Sequence, residues 1–186
     1  MFGDGATSHA RSSGFGVRPA SVSDAEGIAV THVAAWRTGY AGQLPEGFLA
    51  GLSVEEHAGF WTRALARRTD ASTGTLVAAS GDFIAGFASF GPSRNVGCDV
   101  TVGELFVLNT HPGFWGDGIG TALHNGAISQ LAAAGFTRAT LWVLSSNVRA
   151  RRFYEHRDWS LDGRQKTEWR GDVRLDETQY ERAKLG

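Results

Sequence analysis

Apolar residues recur at helical spacing in two early segments, and each segment begins with a pattern that starts helices. Ser23-Asp-Ala-Glu26 has the hydroxyl and carboxylate spacing of a capping box, and apolar side chains follow it every few positions. This predicts a helix from about Asp24 to Arg37. A second box, Ser53-Val-Glu-Glu56, predicts another helix that ends near Arg67.

The spacing then changes to that of strands, and a helix follows only after three of them. The remaining predicted elements, in chain order, are strands at 75–79 and 83–90, a strand at 103–110, a helix closed by Gly135, a strand at 137–144, a short helix at 148–156, and one or two closing strands within 159–162 and 173–180. An edge strand at 15–19 precedes them. No repeat or linker interrupts this run, so we expect one mixed α/β domain over residues 15–186 after a flexible tail at residues 1–14.

Composition narrows the classes of function. Cys98 is the only cysteine, which excludes an internal disulfide and a multi-cysteine zinc site and favours the cytoplasm. The formal net charge of −1 gives no general field for nucleic acid or an anionic membrane. The first residues lack the apolar core of a signal peptide, and the histidines show no metal-ligand spacing. We therefore expect a cytoplasmic protein with no nucleic-acid, membrane or metal partner.

Alternating glycines open the helix that follows the strand at 103–110. The run is Pro112-Gly-Phe-Trp-Gly-Asp-Gly-Ile-Gly-Thr-Ala-Leu123. Free backbone N–H groups at the positive end of a helix dipole bind phosphate. A P-loop is excluded because Thr121 and Ala122 stand where it needs a lysine and a hydroxyl residue. A dinucleotide site is disfavoured because no carboxylate follows about 20 residues later, and a plain tight turn fits equally well.

A second segment decides between these alternatives. Asn147-Val-Arg-Ala-Arg-Arg-Phe-Tyr-Glu-His-Arg-Asp-Trp159 resembles the second signature of the GNAT superfamily of acyl-CoA-dependent N-acetyltransferases. Leu108-Asn-Thr-His-Pro-Gly-Phe-Trp-Gly-Asp-Gly-Ile-Gly120 resembles its first signature, and the order of elements also agrees. The departures are Thr110 for valine, Trp115 for glutamine or arginine, and Asp158 for glycine. None of them removes the phosphate loop or the tyrosine of the second signature.

This resemblance implies a fold and a cofactor. The fold is a mixed central sheet of six to seven strands, splayed between the fourth and fifth strands, with about four helices. The donor is acetyl-CoA, whose pyrophosphate would bind the amides of the glycine loop and whose pantetheine would pair with β-strand backbone like an added strand. Asn147 would bond a pantetheine carbonyl, cap its helix, or do both. The residues implied in cofactor binding are Leu108, Asn109, Thr110, Trp115, Gly116, Asp117, Gly118, Ile119, Gly120, Thr121, Asn147 and Tyr154.

The resemblance also implies the reaction, direct transfer of an acetyl group to a primary amine in a ternary complex. Tyr154 would be the acid that protonates the leaving thiolate. Glu104 matches a carboxylate that many relatives use as a base, often through water, although a solvated acid at a strand end explains it equally well. Asp99 and His111 are reserve candidates for the base. Neither motif contains a cysteine, so a covalent acetyl-enzyme is not expected.

The acceptor side is less specific. Trp36 and Tyr40 end the first predicted helix, where relatives build the acceptor pocket, and aromatic rings can hold an amine by cation–π attraction. Core packing explains Trp36 as well. We expect a small-molecule amine as acceptor and a homodimer as the assembly, since dimers are common in the superfamily. The alternative function is a GNAT-fold module that binds coenzyme A without turnover.

Overall fold

A computed structural model describes residues 14–67 and 72–185. All but the last residue of the predicted tail at residues 1–14 lie outside the described residues. Within them, seven strands form one mixed sheet in the order β1-β2-β3-β4-β5-β7-β6. The strands are β1 Gly16–Pro19, β2 Gly74–Ser80, β3 Phe83–Pro92, β4 Val102–Thr110, β5 Arg138–Leu144, β6 Ser160–Arg170 and β7 Val173–Arg182.

Five α-helices accompany the sheet in the described part of the chain, and four of them are longer than two turns. They are α1 Ala25–Gly39, α2 Glu46–Ala50, α3 Val54–Ala66, α4 Ile119–Ala133 and α5 Val148–Glu155. The four longer helices lie where the sequence predicts them, within two residues. The short α2 follows Pro45 in a segment where the sequence predicts no helix.

The core has two layers, one on each face of the sheet. On β2, Val77 packs against α1 and α3, while its neighbour Ala78 packs against α4. Phe87 and Ala88 repeat this alternation on β3, as expected for side chains that point to opposite faces of a strand. Because helices cover both faces, these central strands are apolar at nearly every position.

The parallel pairing of β4 with β5 is short. It covers only 102–105 against 138–141, after which β4 stays bonded to β3 and β5 stays bonded to β7. Phe106 has no partner in the register of β4 with β3, so it forms a bulge where the two strands begin to separate. The predicted mixed sheet, splayed between its fourth and fifth strands, is therefore confirmed.

The start of α1 differs from the prediction. The capping box is formed by Ser21 and Asp24, not by Ser23 and Glu26, and a short 3-10 turn precedes the helix. The buried Asp24 carboxylate accepts hydrogen bonds from the Ser21 backbone N–H at 2.7 Å and from both terminal nitrogens of Arg18 at 2.7 and 2.8 Å. The guanidinium of β1 thus selects the carboxylate that starts the helix, a long-range choice that local spacing does not reveal.

We expect Asp24→Asn to lower the free energy of unfolding at pH 7 by about 1–2 kcal/mol, because the charge-assisted bonds with Arg18 are lost. These bonds hold the pKa of Asp24 below its usual range. Their contribution is therefore present above about pH 4 and is lost as the pH falls through the folded pKa. Urea unfolding at pH 7 and about pH 3 measures the difference between wild type and variant.

The exposed carboxylate of Asp99 provides a matched control, since Asp99→Asn should change the stability much less. A stability difference for Asp24→Asn that stays constant between the two pH values would contradict the assigned role of the Arg18 pair.

Candidate functional site

A cleft of about 720 Å³ opens where β4 and β5 separate, a volume typical of small-molecule sites. Its walls come from α1 and α3, the free edge of β4, the glycine loop, the start of α5, and the β6–β7 hairpin. Most residues that the sequence assigns to the site line this cleft. Glu104, Asp117 and the reserve bases Asp99 and His111 do not. The structure therefore brings together residues that lie more than a hundred positions apart in the chain.

The glycine loop presents unbonded helix amides to the cleft. Gly116 and Gly118 have positive φ values of 97° and 81°, a conformation that glycine adopts without strain. The first hydrogen bond of α4 runs from the Ala122 N–H to the Gly118 carbonyl at 3.0 Å, so the preceding amides have no acceptor within the helix. Ile119 lines the cleft, and its side chain also packs in the core around α4. The arrangement suits an anionic group.

Arg157 adds a positive charge beside this loop. Its guanidinium donates to the Thr121 hydroxyl at 2.6 Å and lies 3.8 Å from the centre of the Phe153 ring. Arg157 also lines the cleft. Arg157 was not predicted, because its contact with Thr121 links the residues after α5 to the start of α4.

Trp115 joins the end of β4 to α5 through its side chain. Its indole N–H donates to the Thr110 carbonyl at 3.0 Å, and the Arg149 guanidinium lies 3.3 Å from its ring centre. The sequence assigns only backbone amides of Trp115 to the site. The structure shows in addition that the indole occupies one lone pair of a carbonyl predicted to pair with pantetheine.

Asn147 links the two walls of the cleft. Its side-chain oxygen accepts from the Ala150 N–H at 3.0 Å, which caps α5, and its side-chain nitrogen donates to the Tyr40 hydroxyl at 3.3 Å. The capping role is therefore confirmed, while the contact with pantetheine stays a prediction. Tyr40 is thereby held against the start of α5.

Tyr154 is a buried phenol that lines the cleft and is 8% exposed. Its ring packs against Phe153 and Trp159. Burial, with a smaller effect from the charge of Tyr40, raises the pKa of Tyr154 well above its usual range. The phenol therefore keeps its proton at neutral pH, the state required of an acid.

Glu104 lies outside the cleft lining. It is 1% exposed, and its carboxylate accepts three hydrogen bonds from Arg94, one from the backbone N–H at 2.8 Å and two from the guanidinium at 2.6 and 3.2 Å. It stands in the part of β4 that is still paired with Thr140 of β5, before the strands separate. Its role as a base stays a prediction. In the observed position the carboxylate forms an ion pair with Arg94.

Trp36 and Tyr40 lie side by side on the inner face of α1. Their ring centres are 4.9 Å apart, and Phe48 of α2 lies 6.3 Å from Trp36. Burial is the largest cause that raises the pKa of Tyr40, so this phenol also stays protonated. Both predicted acceptor residues face the cleft, and the aromatic wall they form continues to Phe48.

Two histidines extend this wall and were not predicted. The ring centres of His32 and His57 are 4.7 Å apart, and both residues line the cleft. The His57 Nδ1 lies 2.8 Å from the Ser53 carbonyl oxygen, which can only accept, so this nitrogen carries a proton. Burial first, and then the charges of His57 and Arg170, lower the pKa of His32 to about 3. His32 is therefore neutral at physiological pH.

Two carboxylates opposite the aromatic wall were also missed. Glu168 of β6 and Glu177 of β7 line the cleft. They lie in strands for which the sequence predicts little beyond their presence. The regular pairing of residues 165–170 with 173–178 places both side chains on one face of the hairpin. Alternation along β7 is the one signal that could have grouped Glu177 with the site.

Neither a metal cluster nor a spanning helix is found in the part of the chain that the structure describes. Within residues 14–67 and 72–185, no three histidine, cysteine, aspartate or glutamate side chains are grouped so as to hold a metal ion. No helix among them is both long enough and apolar enough to cross a membrane.

Known proteins are similar to this chain in sequence. The acetyltransferase (GNAT) family model matches residues 32–159. The uncharacterized N-acetyltransferase YuaI of Bacillus subtilis is 32% identical over 134 residues, which cover 70% of this chain and 72% of that protein. A mycothiol acetyltransferase of Beutenbergia cavernae is 45% identical over 58 residues, which cover 31% of this chain but only 20% of that relative's length.

The fold also matches solved structures. The PaiA N-acetyltransferase of Thermoplasma acidophilum, solved in complex with coenzyme A, has a TM-score of 0.69 at 18% identity, and the match covers 91% of this chain and 98% of that one. The chain belongs to the GNAT acetyltransferase family. The predicted class of enzyme, an acyltransferase of the N-acetyltransferase type, is confirmed.

The Arg94–Glu104 pair predicts an asymmetry in stability. Arg94→Met leaves the Glu104 carboxylate, whose side chain is 2% exposed, with the backbone N–H of residue 94 but no cation, whereas Glu104→Gln leaves a guanidinium whose side chain is 63% exposed. We therefore expect Arg94→Met to cost roughly 2 kcal/mol of unfolding free energy and Glu104→Gln about 1 kcal/mol. Urea unfolding of both single variants and the double variant measures the two costs and their coupling. Additive, negligible costs would show that the Glu104 carboxylate is free.

Proposed function

We propose that this protein transfers an acetyl group from acetyl-CoA to a primary amine by direct attack in a ternary complex. One observation carries the proposal: the cleft between the separated β4 and β5 holds both an amide-rich helix start and the protonated, buried phenol of Tyr154. The helix amides suit a phosphate, and the phenol suits a leaving thiolate. Acetyl-CoA carries a pyrophosphate at one end and a thioester, the source of the thiolate, at the other.

The donor would lie along the cleft from the glycine loop to Tyr154. Its pyrophosphate would bind the amides at the start of α4, with Arg157 as a charged partner. Pantetheine would pair with the free edge of β4 at Leu108 and Thr110, where the Trp115 indole already contacts one carbonyl. A carbonyl oxygen has two lone pairs, so the indole and a pantetheine amide can share it. The coenzyme A of the PaiA complex supports this choice of donor.

In the proposed reaction, a neutral amine attacks the thioester carbonyl carbon, a C–N bond forms and the C–S bond breaks. Tyr154 donates its proton to the departing thiolate, and the amine loses a proton to the base. Cys98, the only cysteine of the chain, does not line the cleft. This supports direct attack by the amine over a covalent acetyl-enzyme.

Glu104, acting through water, is the proposed base. Its position directly before Leu105, which lines the cleft, supports this assignment, although Arg94 must then yield part of its hold on the carboxylate. The tight Arg94 pair favours the alternative function, a module that binds coenzyme A without turnover. That alternative predicts thermal stabilisation by acetyl-CoA with no release of free thiol in the presence of any amine.

A small molecule is the proposed acceptor. The enclosed aromatic wall of Trp36 and Tyr40 supports this, as does the relative from Beutenbergia cavernae, which is named for mycothiol. The expected cytoplasmic location and homodimer stay predictions, because neither is tested by the contacts within one chain.

We expect Tyr154→Phe to reduce thiol release from acetyl-CoA, at saturating donor and amine, on the order of 10²-fold, because the thiolate loses its proton donor. Stabilisation of the fold by acetyl-CoA should persist, since binding rests on the glycine loop. Measurement of free thiol over time and thermal unfolding with acetyl-CoA test the two halves of this expectation.

Tyr180→Phe is the matched control. The Tyr180 phenol is bonded to Arg151 and Glu155 and does not line the cleft, so its loss should affect stability but not the rate of thiol release. Equal rates for wild type and Tyr154→Phe would remove Tyr154 from the reaction.

A further inference from the structure

The side of the cleft formed by β5 and the β6–β7 hairpin already binds an ammonium group, that of Lys166. The Lys166 Nζ lies 2.6 Å from the Glu168 Oε1, 3.0 Å from the Glu177 Oε2 and 4.7 Å from the centre of the Trp142 ring. Two carboxylates and an aromatic face are the chemical partners that bind ammonium in proteins. Glu168, Glu177 and Trp142 all line the cleft, so these partners are presented to a ligand as well as to Lys166.

Of the two carboxylates, Glu177 lies next to the predicted reaction centre. It pairs with Leu144, the last residue of β5, and the chain turns from there into α5 at Asn147. Glu177 and Tyr40 both line the cleft. Tyr40 in turn is bonded to Asn147 and acts electrostatically on Tyr154.

The neighbouring acids are engaged more fully by cations. Glu104 accepts three hydrogen bonds from Arg94. Lys166, Arg170 and Arg94 all lower the pKa of Glu168. Glu177 forms an ion pair with Lys166 through one oxygen, Oε2. A carboxylate can accept hydrogen bonds from further donors.

We propose that Glu177 binds the protonated amine of the acceptor, whose apolar or aromatic body lies between the Trp36–Tyr40 wall and Trp142. This inference rests on the proposed acetyl transfer and deepens it by naming the acceptor class, a cationic primary amine on an apolar body. Glu177 is thus a positioning residue for the nucleophile. The bound ammonium loses one proton to the base before its lone pair attacks the thioester carbon and the C–N bond forms. The C–S bond breaks as Tyr154 protonates the sulfur, and the second proton lost by the nitrogen restores the Tyr154 phenol.

Lys166 has a defined place in this arrangement. Its ammonium lies on the same carboxylate that the acceptor would use, so it competes with the acceptor for negative charge. Removal of its charge is therefore expected to strengthen amine binding, whereas neutralisation of Glu177 is expected to weaken it. Opposite signs from two neighbouring side chains are not expected from a general loss of folding.

The test measures binding and not turnover. Isothermal titration calorimetry at pH 7, with saturating coenzyme A, compares phenethylamine with the isosteric phenethyl alcohol. Wild-type protein should bind the amine about tenfold more tightly than the alcohol. Glu177→Gln should remove this preference and Lys166→Gln should increase it severalfold. Glu181→Gln, on the same strand but outside the cleft lining, should leave it unchanged.

Two results would overturn the proposal: no preference for the amine in wild type, or an unchanged preference in Glu177→Gln. Both are independent of acetyl transfer, because no acetyl donor is present. Thiol release from acetyl-CoA with other acceptors, combined with no amine preference here, would keep the proposed function and reject the role of Glu177. An amine preference that depends on Glu177, combined with no thiol release from acetyl-CoA, would keep the role of Glu177 and reject the proposed acetyl transfer.

Discussion

The cleft exists because β4 and β5 stop pairing after four residues. Both strands continue, each still bonded to its other neighbour, so the sheet stays intact while a gap opens in its middle. The bulge at Phe106 lies where the gap begins. A continuous sheet would bury this edge of β4 against β5, whereas here its backbone groups, the start of α4 and the start of α5 all face one volume. The candidate chemistry depends on that interruption.

The fold was largely predictable because its signals are local. Apolar spacing, glycine caps and turn residues located the longer helices and most strand positions, and two signature segments implied the splayed sheet. The errors have longer-range causes. Arg18 selects Asp24 as the helix-starting acid from another element, and α2 is a single short turn after Pro45 whose apolar residues fit a loop equally well. Most of β6 was missed because its residues are largely exposed and lack apolar alternation.

The site was predictable along the two signatures and obscure elsewhere. Backbone positions of the glycine loop, Asn147 and Tyr154 follow from their segment alone. The environment of Glu104 does not, since Arg94 reaches it from the loop before β4. Glu168 and Glu177 enter the cleft through strand register, and the Trp115 indole through a contact with Thr110. A sequence shows which side chains lie near a motif. The groups that form hydrogen bonds and ion pairs with those side chains often come from other segments of the chain.

The donor side of the cleft and the side formed by the β6–β7 hairpin come from different stretches of sequence, so each can change without the other. The proposed donor contacts lie between residues 108 and 157, inside the region that the family model matches. Glu168 and Glu177 lie on the β6–β7 hairpin, after residue 159, where that match ends. The hairpin is the edge of the sheet, and β6 bonds only β7 among the described strands. Sequence change at its exposed positions alters charge and shape at one end of the cleft, whereas Tyr180 of β7 belongs to the core around α4. The hairpin is accordingly the part of this protein in which a new selectivity can arise, or be engineered, while the donor half is left as it stands.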